Sequence, residues 1–435
     1  MITQAFARFG ISPETVVHSD AIIQDLAPVF ARIDQTRSIN QLRVLHAFHE
    51  ARLAESSLGG TTGYGYDDSG RDQIEKAYAR VFGAEKALVR IQISAGTQAL
   101  AICFFGLLRP GDTLLSVTGR PYDTLQSTIG VTDDGSPAPD GSLCDMGVHY
   151  SELDLLPDGT PDLAGIAKAL DDRTKVVFIQ KSRGYTTRRS LLVDDIAQIV
   201  QTVRQHQPQA IVLVDNCYGE FVETQEPCMV GADLVAGSLI KNPGGGLCPS
   251  GGYVAGRADL VEKVASRLTA PGLGSHVGPT LGFSRLIAQG FYLAPQIVAE
   301  SLKGAAFAAA LFGGAGYKTY PAADAIRGDL VQTLEFGDPD RLVAFCQAIQ
   351  AASPVDSFVR PEPWAMPGYD SPVIMAAGAF VQGSSIELSA DGPLKPPFPA
   401  YLQGGLNFET VRLACLLAYE RMTGKSQPGR GQPGD

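Results

Sequence analysis

VLVDNCYGEF, residues 212–221, closes a β-like run on Asp215, and 26 residues later GSLIKNPGGG, residues 237–246, sets Lys241 on a glycine-rich turn. A carboxylate at the carboxyl end of a parallel strand, followed by a lysine on such a turn, is the pair that a pyridoxal phosphate enzyme requires. The lysine forms the Schiff base, and the carboxylate keeps the pyridine nitrogen protonated so that the ring acts as an electron sink. Taken singly, Asp215 reads as a strand-end helix cap and Lys241 as a solvated surface residue. Their surroundings decide otherwise.

SAGTQAL (94–100) places small residues between a strand and a helix, so the backbone N–H groups of Gly96, Thr97 and Gln98 can cradle a phosphate at the helix N-terminus. Ser238, three residues before Lys241, offers a hydroxyl to the same group. Tyr122, in GRPYDT, is placed to stack on the pyridine face.

Outward from these motifs, β-like runs alternate with helical ones: 87–93, helix from Thr97, 113–117, helix from Tyr122, 176–179, helix from Asp194, and 210–214. That alternation predicts parallel strands joined by crossover helices, an α/β fold with a mostly parallel central sheet flanked by helices. Two amphipathic helices are expected between Asp20 and Ser57, with Ser38 capping the second. A strand at 252–256 and a long helix at 282–312 follow. Beyond about 316, strand-like runs (373–381, 385–388) and helices (339–351, 408–422) predict a smaller C-terminal α+β domain. The resulting division is a helical segment (1–58), a large cofactor-binding domain (59–285), a linking helix with the small domain (286–422), and a loose tail (423–435).

The 435 residues carry 35 Lys plus Arg against 46 Asp plus Glu, a net charge of −11 that offers no general attraction to nucleic acid or anionic lipid. Seven cysteines without a C-x-x-C pair suggest neither a disulfide framework nor a structural zinc site, and the six histidines form no ligand-like cluster. No bound metal is expected. Cys217 and Cys248 flank the candidate site, but no adjacent His or Cys activates them. The absence of a basic flank before an apolar run, and the shortness of the most apolar stretch (304–314), predict a protein neither exported nor inserted in a membrane, placed in a reducing cytoplasm.

The chain resembles the pyridoxal phosphate enzymes of the cysteine and methionine metabolism group, fold type I, most closely the methionine γ-lyase-like or aluminium resistance branch. The matching stretches are TTGYGYDDSGRDQIEKAYARVFGAEKALVR (61–90), SAGTQAL, PGDTLLSVTGRPYDTL (110–125), the turn at Arg183, VDNCYGEFVE, GSLIKNPGGG, SGGYVAGR (250–257), SIELSADGP (385–393) and YLQGGL (401–406). The resemblance implies a fold type I transferase-like domain in which Lys241 is the Schiff-base lysine, Asp215 the pyridine-nitrogen partner and Tyr122 the stacking ring. Gly96, Thr97, Gln98 and Ser238 would bind phosphate. It also implies that Tyr64, Tyr66 and Arg71 reach a neighbouring subunit's site, so that a homodimer is the smallest active unit and a homotetramer the usual assembly.

Departures from the family pattern bear on the site. Ile240 stands where better-known γ-lyases carry a threonine before the lysine, and SRGYTTR (182–188) occupies the stretch of an Asn-Pro turn, which brings Arg183 forward as a contact of cofactor or substrate carboxylate. SIELSADGP lacks the usual carboxylate-binding arginine; Arg360, Arg412 and Lys395 are the alternatives, each also readable as a surface charge. The expected reaction is β- or γ-elimination on an L-amino acid, with a thiolate or a halide leaving and Lys241, Tyr64 and Tyr122 moving protons. Transamination or γ-replacement on the same scaffold, or a non-catalytic protein linked to metal tolerance, are the alternatives.

Overall fold

The computed structural model describes residues 1–132, 136–365 and 371–424. Residues 425–435, most of the expected tail, lie outside them. The chain divides into two compact units: Gln35–Val298 with Arg327–Leu330, and Met1–Asp34 with Ala299–Ile326 and Val331–Asp435.

The larger unit is built on seven strands: β1 (Lys86–Arg90), β2 (Thr113–Ser116), β3 (His149–Glu152), β4 (Thr174–Gln180), β5 (Ile211–Asp215), β6 (Leu234–Ser238) and β7 (Gly252–Gly256). Their order is β1-β7-β6-β5-β4-β2-β3. Strands β3, β2, β4, β5 and β6 are parallel, and β7 runs antiparallel to both its neighbours. Every residue of β5 is buried, as a β-branched run covered on both faces requires. Val212, Leu213 and Val214 are 0% exposed, and each contributes roughly 1.5–3 kcal/mol of apolar burial.

Successive residues of a strand point to opposite faces, so Tyr253 and Val254 serve different cores. Val254 joins Leu88, Phe104, Phe178, Leu213 and Val264 in the layer formed with helices Gly96–Leu107 and Ala258–Leu268. Tyr253 faces an aromatic cluster in which it stacks on Phe82 at 5.0 Å, while Tyr78 stacks on Phe291 at 3.7 Å.

The smaller unit holds an antiparallel sheet of β8 (Lys318–Tyr320), β9 (Gln332–Glu335), β10 (Val373–Ala376), β11 (Ser389–Pro393) and β12 (Pro399–Gln403), in the order β10-β11-β12-β9-β8. Helices Pro339–Ala352 and Phe408–Thr423 pack together beside it. The N-terminal helix Pro13–Asp25 joins this unit, with the Ser12 N–H donating to Glu420 at 2.8 Å and Arg412 paired to Asp20 at 2.6 Å.

Several sequence expectations need correction. Ser38 caps nothing: one helix, Ala27–Ala51, runs through it, because Pro28 falls in the first turn, where proline is tolerated, and no glycine or proline follows. The strand expected at 385–388 begins only at Ser389, since Leu388 takes φ 125°, which breaks extended pairing. The apolar stretch 304–314 is the end of a longer helix, Ser284–Gly314, apolar enough over its length to cross a membrane, yet 67% of its most apolar window is buried within the protein.

Candidate active site

Three strands of the larger unit end side by side. Gln180 stands in register with Asp215 across β4 and β5, and Asp215 with Ala236 across β5 and β6, two residues before Ser238. The carboxyl ends of parallel strands are where such sheets bind ligands, because loops and helix N-termini converge there.

Lys241 begins the short helical turn Asn242–Gly244 after β6, and its Nζ lies 4.0 Å from the centroid of the Tyr218 ring. That ring rides on the loop after β5, where Tyr218 and Phe221 take φ 71° and 63°, a region unfavourable for bulky side chains and held here by the surrounding fold. Asp215, 4% exposed, accepts the Cys217 N–H at 3.1 Å. Burial raises its pKa, while Lys241 and the Cys217 N–H and thiol pull it back. Burial would lower the Lys241 pKa, but Cys217, Tyr218, Asp215 and Tyr122 together outweigh it and leave the amine raised, an ammonium at neutral pH.

The helix Gly96–Leu107 starts against this pair. A Cβ on Gly96 would lie 3.2 Å from Cys217 Sγ and 3.5 Å from Ser238 Cβ, so only glycine leaves a gap there. Ala95 caps the helix without a side-chain acceptor, whereas Ser12, Asp68, Asp162, Asp338 and Asn407 cap theirs with one. The N–H groups of Gly96, Thr97 and Gln98 thus form a positive helix end without a side-chain cap. The Gln98 side chain folds back to accept the Ser94 N–H at 2.6 Å.

Thr97 Oγ1 lies 3.1 Å from Tyr122 Oη, and the Tyr122 N–H donates to Gln180 Oε1 at 3.2 Å. Burial, then Asp215 and Cys217, raise the Tyr122 phenol pKa and keep it neutral. Ser238 Oγ accepts the Ile240 N–H at 3.3 Å. Every main-site residue read from the sequence therefore falls in one place: Lys241, Asp215, Tyr122, Ser238 and the 96–98 turn.

A family model described as methionine gamma-lyase matches residues 16–423. The chain belongs to the methionine gamma-lyase family. It is 49% identical over 401 residues to the uncharacterized protein YnbB of Bacillus subtilis, covering 92% of this chain and 94% of that one. It is also similar to a carbon-sulfur lyase involved in aluminum resistance from Clostridium novyi NT, with 47% identity, a TM-score of 0.92 and coverage of 96% and 98%. The pyridoxal-5'-phosphate dependent protein YhfS from Escherichia coli, 19% identical with a TM-score of 0.59 over 90% and 97% of the chains, shares the fold alone. Both the resemblance and the fold class read from the sequence are borne out.

In this methionine gamma-lyase family member, Tyr64 and Tyr66 share one exposed loop. Tyr64 and Tyr66 are 66% and 57% exposed, with rings stacked at 5.4 Å. Their loop is fixed: Gly278 and Leu281 N–H groups donate to Tyr64 and Thr61 carbonyls, both at 2.9 Å, and buried Arg71 donates to the carbonyls of Gly65 at 2.7 Å and Gly278 at 3.2 Å. Arg71 thus braces the loop that carries the tyrosines. Arg183, also buried, is engaged with Asp329, its main-chain N–H at 3.0 Å and its Nε at 3.5 Å.

Of the carboxylate-binding alternatives, Arg360 and Lys395 are exposed, but Arg412 is no surface charge: it is 7% exposed and lies over the Phe6 ring at 4.8 Å. His276 lines a cleft of about 850 Å³ with Glu50, Tyr66, Arg71 and Arg80, away from Lys241. Burial raises the Cys217 and Cys248 thiols, the latter to about 12, so neither is a thiolate at neutral pH. Sequence reading missed Gln180, Tyr218 and Glu220. The last two adjoin Asp215 in the quoted motif, and their φ angle and depth are set only by the folded loop.

Proposed function

We propose that this protein is a pyridoxal phosphate-dependent lyase that eliminates a β or γ substituent, a thiolate or another leaving group such as halide, from an L-amino acid. The observation that carries the reading is the convergence of Lys241, Asp215 and an uncapped helix N-terminus on adjoining strand ends. Membership of the methionine gamma-lyase family and likeness to the Clostridium novyi carbon-sulfur lyase support it.

The residues fit the cofactor. Gly96, Thr97 and Gln98 N–H groups with Ser238 would hold its phosphate, Asp215 its pyridine nitrogen, Tyr122 its ring face and Lys241 its aldehyde carbon; Arg183, expected as a contact of cofactor or substrate carboxylate, is paired with Asp329. Bound there, pyridoxal phosphate supplies an electron sink for a carbanion at the substrate α-carbon. Lys241, with its amine free, would be the base that takes the α-proton, and for γ chemistry it would also move a β-proton. Tyr122, a neutral phenol, and Tyr64 are the groups able to protonate the leaving group.

The active unit is a homodimer, assembling further to a homotetramer, in which Tyr64 and Tyr66 of one copy complete the other's site on a loop that Arg71 braces from within. The exposed, stacked and firmly held tyrosine pair supports this. Seven free cysteines suit a reducing cytoplasm.

Proton NMR of the cofactor-loaded protein in heavy water, with methionine, cystathionine, homocysteine and γ-halogenated amino acids, tests the reading. Exchange at the α and β carbons with release of a keto acid or unsaturated amino acid is expected for γ-elimination, and α exchange with β-product for β-elimination. Accumulation of aminated cofactor, or incorporation of an added nucleophile, would replace elimination by transamination or γ-replacement. Full activity in Lys241→Ala would overturn the assignment.

A further inference from the structure

Glu220 lies on the loop between β5 and β6 and is wholly buried, 0% exposed. Its main-chain carbonyl accepts the side-chain amide of Asn242 at 3.0 Å, and Asn242 directly follows Lys241. Its Oε1 accepts the Tyr253 phenol at 2.8 Å, while Oε2 has no hydrogen-bond partner among the described residues. Gly237, on the strand that leads to Lys241, is pressed against the same group: a Cβ there would lie 2.7 Å from Glu220 Oε1 and 2.6 Å from the Tyr253 ring. One residue thus touches β6, β7 and the lysine turn.

A carboxylate here would be unsolvated, with a neutral phenol as its hydrogen-bond donor, and such burial of an ion costs several kcal/mol, so the group keeps its proton. We propose that Glu220 is a positioning residue that works as a neutral acid, fixing the turn that carries Lys241, and that its ionisation loosens the cofactor seat. The inference rests on the reading of Lys241 as the cofactor lysine.

Burial places the Glu220 pKa at about 8, with Tyr253 and Lys241 pulling it down and Glu226 pushing it up. The titratable groups facing it are Tyr253 on β7, Tyr78 on the helix Ser69–Phe82, Cys217 and Glu226 on its own loop, and Lys241. Tyr253, Tyr78 and Cys217 are raised well above their ordinary values by burial and stay neutral across pH 7–9.5. Lys241 is itself raised and stays charged, while burial also raises Glu226 against the pull of Arg43 and Lys181. Two buried carboxyls, Glu220 and Glu226, are thus raised together, and Glu220→Gln separates the charge change of the first from that of the second.

The test titrates apo-protein with pyridoxal phosphate at pH 7 and 9.5, following the visible absorbance band that the cofactor gains on joining Lys241, for wild type, Glu220→Gln, Glu220→Ala and Tyr253→Phe. Because only the protonated form is competent, wild-type affinity should fall between the two pH values by about tenfold or more beyond any fall in Glu220→Gln. Glu220→Ala keeps the main-chain contact to Asn242 but loses the side chain that packs on Gly237 and Tyr253, and should bind more weakly at both. Tyr253→Phe removes the donor that favours the anion, so the wild-type fall should move to higher pH. Parallel profiles for wild type and Glu220→Gln, or a Tyr253→Phe profile identical to wild type, would overturn the inference alone. A wild-type protein that takes up no cofactor at either pH would overturn the functional reading and the inference with it.

Discussion

The ammonium of Lys241 rests over the Tyr218 ring, 4.0 Å from its centroid, on a residue whose backbone is held at φ 71°. The lysine is thus parked on an aromatic face beside the carboxylate it must work with. Lys241→Ala should lose the visible absorbance of bound cofactor and at least about 10³-fold in turnover. Tyr218→Phe keeps the ring face, whereas Tyr218→Ala forfeits a contact of about 0.5–2 kcal/mol. Cofactor affinity by absorbance titration should follow that order, and equal affinity for Phe and Ala would dismiss the ring's role.

Asp215 is aligned with Gln180, whose side chain holds the Tyr122 main chain. Asp215→Asn preserves the packing of the strand end and removes the charge opposite the pyridine nitrogen. Turnover should fall by on the order of 10²-fold or more, with the cofactor's absorbance maximum displaced. Steady-state kinetics that match wild type would contradict the role given to Asp215.

At Gly96 the test is steric. A methyl there meets Cys217 Sγ at 3.2 Å and touches Ser238 Cβ at 3.5 Å, so Gly96→Ala narrows the proposed phosphate seat. Cofactor dissociation should rise by about tenfold, or about 1.4 kcal/mol, while the apo-protein melts within a few degrees of wild type. A matching loss of apo stability would point instead to a damaged helix start.

Asp68 caps the helix Ser69–Phe82 and takes hydroxyl hydrogen bonds from Thr61 and Thr280. Burial would raise its pKa, but those hydroxyls and the Arg71 N–H outweigh it and hold the carboxyl below its ordinary 3.8. A depressed native pKa means the stabilisation is fully present above the unfolded-state value and fades as pH falls through the native one. Asp68→Ala should therefore cost about 1–2 kcal/mol at pH 7. The difference from wild type, followed by denaturant unfolding, should shrink below about pH 4. A gap independent of pH would mean the charge contributes nothing.

For Tyr64 the question is whose site it serves. Being exposed, Tyr64→Ala should leave the melting temperature within about 1–2 °C while lowering turnover. If the tyrosine acts across the dimer, mixing inactive Lys241→Ala with Tyr64→Ala and re-equilibrating should restore roughly a quarter of wild-type activity, since one site in each mixed dimer is intact. No recovery in dimers shown to have exchanged would place Tyr64 in its own subunit's site.

Much of the larger unit was legible because its strands are short apolar runs bounded by polar turns, and 211–215 and 252–256 fall where the runs suggest. β6 was passed over, since Leu-Val-Ala-Gly-Ser has little bulk of its own and borrows its burial from neighbours on both sides. β3, His-Tyr-Ser-Glu, is a polar strand at the sheet edge and carries no periodic signal. β11 contains a glycine and a proline, which read as a turn. In the site, Lys241, Asp215 and the helix start announce themselves by residue type and spacing. Glu220 does not, because a glutamate in a loop reads as solvated until Tyr253 and Gly237, from two other strands, are seen closing over it.

The membership of residues 1–34 in the smaller unit has a consequence for the living chain. The helix Pro13–Asp25 is made before residues 35–298, which hold nearly all of the larger unit, and must wait for Arg412 and Glu420. At about 5–20 residues per second, that wait lasts roughly 20–80 seconds. For that interval the apolar and charged groups of this helix have their final partners still untranslated, and a chaperone is the natural substitute.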